Sequence, residues 1–242
     1  MRTLIANELF KLRTSRAPWL ILVAQLAIIV AGMSGMAIAK LDFQSPGAAR
    51  LLLCHAGMSS LFVLVLGIMA VAGEYRDGTI TDTFMSTPRR SRVIAAKLVA
   101  YTGLGSVFGI LSSVTALIVA AIWFSAKGVG FDPASAQVWQ TLVGVALWMP
   151  LYAAIGVGLG AMVRNLGAAI TIALAWIALV EGIAINLLGD LGRWLPMAAG
   201  MALDNMPQGN LLPQVTGGLV LVAYVAIFGV AAILVTMRSD VA

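Results

Sequence analysis

Long apolar runs separated by short polar breaks dominate this chain. Six runs carry almost no charge, at 17–39, 51–72, 94–125, 138–163, 168–188 and 215–237. Each reaches the roughly 20 residues that a helix needs to cross the hydrocarbon core of a bilayer. The pattern predicts an all-α polytopic membrane protein with six transmembrane helices. Two stretches follow other patterns. In 1–16, Met1, Ile5, Leu9 and Leu12 share one side of a helix, Arg2 and Arg13 lie at its edge, and Asn7 and Lys11 lie opposite, with Glu8 and Phe10 interrupting the pattern. This predicts an N-terminal amphipathic helix on the membrane surface before Pro18-Trp19 turns the chain inward. Residues 189–214 hold Gly189, Gly192, Pro196, Gly200, Pro207 and Pro213, so they are too interrupted to span. Trp194, Leu195, Met197, Met201 and Leu203 make the same stretch too apolar for a free loop, which predicts an outer interfacial or re-entrant cap.

Composition agrees with a lipid solvent. Hydrophobic residues make up 61% of the chain and charged residues 10%, against roughly 45–50% and 25% in a soluble domain. Charge distribution adds an orientation. With six spans both termini share one side, which then holds Arg2, Lys11, Arg13, Arg16, Arg76, Arg89, Arg90, Arg92, Lys97, Arg164 and Arg238. The other side holds only Lys40, Arg50, Lys127 and Arg193, so basic residues enriched on the cytoplasmic side place both ends in the cytoplasm. The net charge of +5 is thereby explained by topology and requires no nucleic acid.

Within the spans, three features stand out. The third run is longer than a bilayer needs, so Lys97 and Tyr101 are expected below the hydrocarbon, with Lys97 snorkelling to the interface. Pro150 is expected to kink the fourth run, and Gly156-Val157-Gly158-Leu159-Gly160 has the small-residue spacing that admits a neighbouring helix. Glu181 is the one carboxylate inside a run, about 20 Å along the fifth helix from Ala168. A charge there is expensive, so Glu181 is expected to face protein or water, with Arg193 or a second subunit as partner in an outer gate. A carboxyl hydrogen-bonded for packing alone is the competing reading.

The polar break between the second and third runs reads Glu74-Tyr75-Arg76-Asp77-Gly78-Thr79-Ile80-Thr81-Asp82-Thr83-Phe84-Met85-Ser86-Thr87-Pro88-Arg89-Arg90-Ser91-Arg92. Asp77-Gly78 marks a turn, and Thr79 with Asp82 three residues later fits side-chain capping of a helix. Pro88 stops it, leaving Ile80 and Phe84 on one face at i, i+4. Such a helix suits a groove on a soluble partner. The arginines alone also serve to anchor the loop to anionic lipid, at about 1 kcal/mol each.

The stretch GEYRDGTITDTFMSTPRRSRVIAAKLVAY resembles the coupling-helix region of type-2 ABC exporter permeases. An acidic-Tyr-Arg lead, Gly-Thr, a short helix, a Pro with basic residues and a Lys opening the third span recur together there. GLGAMVRNLGAAI is similar to that family's turn between the fourth and fifth spans, and the resemblance extends over the six-span layout, the leader and the cap. It implies a single permease domain over 1–242, with 1–16 as connecting helix, 74–93 as coupling loop and 189–214 as outer cap. It also implies a bacterial cytoplasmic membrane, a second permease subunit, identical or homologous, and two copies of an ABC ATP-binding subunit. Ile80, Asp82, Phe84 and Met85 would then contact that subunit, with Arg89, Arg90 and Arg92 beside them.

The chain has no GxxxxGK[ST] phosphate loop, so ATP and Mg would be bound by the partner, and no cofactor is expected here. His55 is the only histidine and Cys54 the only cysteine, too few donors for a zinc site or a disulfide. The leading expectation is the membrane subunit of an ATP-driven exporter of a lipid, peptide or drug. A secondary transporter or channel would need more intramembrane ionisable groups than Glu181. A non-transporting sensor or scaffold on the same body is the other alternative.

Overall fold

The computed structural model describes residues 1–39, 41–87 and 89–238. Lys40, which enters the charge count, and Pro88, the expected helix stop, lie outside the described residues. The helices in chain order are α1 (Arg2–Thr14), α2 (Ala17–Ala39), α3 (Ala48–Cys54), α4 (Ser60–Arg76), α5 (Ile80–Ser86), α6 (Arg90–Ala126), α7 (Ala136–Val163), α8 (Leu166–Ala175), α9 (Gly182–Leu187), α10 (Pro196–Leu203) and α11 (Gln214–Arg238). A π-helical turn, Trp176–Glu181, joins α8 to α9, and no strand occurs among the described residues. Six segments are long and apolar enough to cross a membrane: Ala17–Ala39, Ala48–Arg76, Arg90–Ala126, Ala136–Val163, Leu166–Ala184 and Gln214–Met237. They coincide with the six apolar runs. The second starts earlier and includes α3, a short 3-10 turn and α4.

The second and fourth spans form the centre, being 67% and 72% buried over their most apolar windows, whereas the first, fifth and sixth are about a fifth buried and leave apolar faces for lipid or another subunit. The glycines of α7 explain why α4 and α7 pack so closely. A Cβ on Gly156 would lie 2.2 Å from the Leu64 carbonyl oxygen, and one on Gly160 would lie 2.5 Å from that of Ile68. With no lipid-excluding force between helices, such backbone contact supplies the packing that holds them together. The small-residue spacing at 156–160 therefore serves close approach, as its sequence suggests.

Pro150 lies inside the continuous helix α7 and cannot donate to the carbonyl of Ala146. Opposite this point α6 presents Gly105 against Pro150 and Gly109 against Ala146, so the neighbouring backbone fits closely where the helix ladder is interrupted. Trp148 and Tyr152 pack edge to face at 5.5 Å in the core beside them, and α10 fits against α7 because Gly200 leaves room for the Trp148 ring. His55 lies against Gly32 of α2 in the same way.

Candidate functional site

Helix α5 begins after Gly78, whose φ of 71° is accessible to glycine without strain, and Thr79 occupies its N-cap position. The expected side-chain cap is not formed. Thr79 makes no cap hydrogen bond, and the Thr83 hydroxyl donates back to the Thr79 carbonyl oxygen at 3.1 Å. The exposed face differs from expectation too. Ile80 and Phe84 are buried, clustered with Val93 of α6 and with Tyr75, so they attach α5 to its own chain. At i, i+4 spacing a short amphipathic helix has one apolar stripe, and here the chain itself covers it. Arg90 lies over the Phe84 ring at 5.1 Å and donates to the Thr236 carbonyl oxygen at 3.4 Å, which closes the other side of Phe84. The exposed members of the expected contact set are Asp82, Met85, Arg89 and Arg92, with Met85 70% exposed.

Behind α5 lies an arrangement that sequence reasoning missed. Lys97 is fully buried. Its Nζ lies 3.0 Å from Glu8 Oε2 and 2.7 Å from Glu74 Oε1, while Lys11 Nζ lies 2.7 Å from Glu74 Oε1 and 3.2 Å from Glu8 Oε1. Two cations and two carboxylates thus form a closed four-membered network across α1, the end of α4 and the start of α6. Instead of extending outward as a snorkelling lysine would, Lys97 is turned into the protein, where the two carboxylates satisfy its charge. Burial alone would lower the pKa of Lys11, but the hydrogen bond and charge of Glu74, with those of Glu8, raise it above the ordinary lysine value.

The network also reorients α1. Glu8 and Leu12 face inward, whereas Leu9 and Phe10 are exposed, a rotation away from the expected Met1–Ile5–Leu9–Leu12 face. The available signal was the pair of residues that broke the amphipathic pattern, since Glu8 and Phe10 become regular once Glu8 counts as an inward position. A cleft of about 240 Å³ separates α1 from α5, with Asn7, Glu8 and Lys11 on one wall and Asp82, Thr83 and Thr87 on the other. Next to it, Arg164 ends α7 with a φ of 57°, donates to the Val235 carbonyl oxygen at 2.9 Å and lies 5.7 Å from the Tyr75 ring centre. Asn165 then caps α8 by accepting from Ala168 N at 2.9 Å. Helices α1, α4, α5, α6 and the end of α11 are therefore tied together at one end of the molecule.

Near the other end, Glu181 terminates the π-helical turn and is fully buried. Its Oε1 accepts from Trp176 Nε1 at 2.9 Å, and its Oε2 accepts from the backbone N–H of Met197 at 2.6 Å, in the first turn of α10. The wide π turn is what allows Trp176 and Glu181, five residues apart, to meet. Arg193 is not the partner of Glu181 within this chain. It is held 3.5 Å from Asp190, one turn away in the same 3-10 segment. The fifth span is thus joined to α10 by a carboxylate at a helix N-terminus, where N–H groups and helix dipole favour negative charge.

Residues 4–180 match the family model described as ABC-2 family transporter protein. No curated protein matches the chain.

Proposed function

The chain belongs to the ABC-2 transporter family and is an ABC permease subunit, and from this we propose that it is the membrane half of an ATP-driven exporter for hydrophobic or amphipathic compounds. ATP is bound together with Mg, and hydrolysed, by a separate ATP-binding subunit, present in two copies. A second permease, identical or homologous, completes the transport path. Both termini, α1 and α5 face the bacterial cytoplasm, on the side that carries most of the basic residues.

The observation that carries this reading is the Glu8–Lys11–Glu74–Lys97 network. Glu74 immediately precedes the α5 loop and Lys97 follows it within two turns of α6, so both roots of α5 are clamped to each other and to α1. Because breaking a buried, mutually paired charge set costs about 3–5 kcal/mol, a push on α5 moves α1, α4 and α6 as one unit and does not merely bend the loop. The ATP-binding subunit engages the exposed side of α5 through Asp82 and Met85, with Arg89 and Arg92 beside them. Ile80, Phe84 and Arg90 transmit the force inward through their contacts with α6 and α11. At the outer end, Glu181 latches α10 to the fifth span, and export requires that latch to open. Co-expression of the tagged chain with ATP-binding subunits of the same cell tests the proposal. A stable complex whose ATP hydrolysis drives substrate accumulation inside inverted membrane vesicles is expected, and a chain that never associates with such a subunit would sink it.

A further inference from the structure

Glu181 lines a cavity of about 220 Å³ between the fifth span, α7 and α11, beneath α10. Its walls are otherwise apolar and aromatic, with Tyr152, Trp176, Tyr224 and Phe228 among them, and among the described residues no Lys or Arg borders it. Ile172 and Trp176 on its rim are about half exposed, so the cavity opens sideways to the bilayer. Two polar groups here are underused. Glu181 accepts two hydrogen bonds, whereas a carboxylate accommodates about four, and it has no ion-pair partner among the described residues. The Tyr152 hydroxyl, on a residue 1% exposed, finds no hydrogen-bond partner among the described residues.

We propose that this cavity is a binding site for lipophilic organic cations, with Glu181 as counter-charge and the surrounding rings as the aromatic cage. The chemistry selects that class. A lone carboxylate in an apolar wall repels anions and gives nothing to neutral hydrocarbons, while the ring faces of Tyr, Trp and Phe attract a weakly hydrated ammonium. Capping of α10 accounts for one hydrogen bond to Glu181, but not for the aromatic cavity in front of it or for the unpaired Tyr152 hydroxyl. The cavity is smaller than the roughly 300–1,000 Å³ of sites that enclose a whole drug-sized ligand. It therefore takes the charged head and an adjoining ring, and the rest of the ligand stays in the bilayer from which it enters. A cation seated here competes with the Met197 N–H for the carboxylate, so binding loosens the attachment of α10. The inference rests on the permease reading, since it names the substrate class that such a permease would export.

Equilibrium binding of radiolabelled phenyltrimethylammonium, and of its neutral counterpart of the same shape, tert-butylbenzene, to the purified full chain in lipid nanodiscs tests this, with empty nanodiscs subtracted. Saturable binding of the cation is expected, weakened at least about tenfold by Glu181→Gln, as loss of a desolvated charge pair implies, with tert-butylbenzene indifferent to the substitution. Ala173→Phe fills the cavity without altering the carboxylate and abolishes cation binding, and it carries the test if Glu181→Gln does not insert. Absence of saturable cation binding to the wild type, or cation binding unchanged by both substitutions, overturns the proposal. Co-purification of an ATP-binding subunit is read on the same preparations. Its loss counts against the exporter reading alone, whereas retained co-purification without cation binding counts against this site alone.

Discussion

Lys97 Nζ lies 2.7 Å from Glu74 Oε1, and the two residues bracket the whole α5 loop. This contact closes a loop of more than twenty residues at its base, and Glu8 and Lys11 attach the closure to the N-terminal helix. What would otherwise be a flexible linker between two spans becomes a lever with a fixed root.

Replacing Lys97 with Met leaves Glu8 and Glu74 facing each other with only the half-exposed Lys11 between them. A loss of about 3–5 kcal/mol is expected, seen as a lower unfolding temperature of the purified chain in detergent. Glu8→Gln in the Lys97→Met background restores part of it, because one uncompensated carboxylate is removed. Additive losses in the double variant would mean that the four residues do not act as a network.

Phe84 and Met85 are adjacent in sequence but opposite in role. Phe84→Ala removes the ring packed between Val93, Tyr75 and Arg90, at about 3 kcal/mol, and loosens the backbone around the already exposed Arg89, so that limited trypsin digestion there is faster. Met85→Asp is expected to leave the digestion pattern unchanged and to reduce co-purification of the ATP-binding subunit at least about tenfold, as a carboxylate in an apolar contact does. Should Met85→Asp leave the complex intact, the exposed face of α5 is not the contact surface.

Orientation is checked with single cysteines in a Cys54→Ala background. A cysteine at Ser91, beside the exposed Arg92, is expected to be protected from a membrane-impermeant thiol reagent in intact cells, and one at Ser45, in the break between the first two spans, to react. The reverse labelling would invert the topology.

Asp204, between α10 and α11, is 1% exposed. Burial pushes its carboxyl well above the usual carboxylate range, against smaller opposing effects from the Met206 amide, the Cys54 thiol and the Arg50 charge. The folded chain therefore holds a proton that the unfolded chain releases near pH 4. Stability is then greatest below that value and falls as pH rises toward the folded pKa, by about 1.4 kcal/mol per pH unit. Unfolding temperatures of wild type between pH 5 and 8 should decline, and Asp204→Asn should flatten that slope. A slope that Asp204→Asn leaves untouched would assign the pH dependence to other groups.

The sequence by itself determined the solvent, the number of spans and the position of the α5 helix, because all three follow from local composition. A run of about 20 apolar residues has only one way to satisfy its backbone in lipid, and Asp77-Gly78 permits a turn whatever surrounds it. The glycines at 156–160 were legible as a contact surface for the same reason, though not that Leu64 and Ile68 would supply the opposing backbone. Only the tertiary structure decided which face of α5 points outward, since Ile80 and Phe84 form an apolar stripe that either a partner or the chain's own α6 could cover. It also decided the fate of the charges. Glu8, Glu74 and Lys97 lie up to 89 residues apart, and each alone reads as an interruption or an interfacial anchor. Glu181 likewise found Trp176 and the Met197 N–H rather than Arg193, because a π turn and a helix N-terminus placed donors within about 3 Å. Pairing of buried charge depends on which elements meet in space, and no local pattern along the chain encodes that meeting.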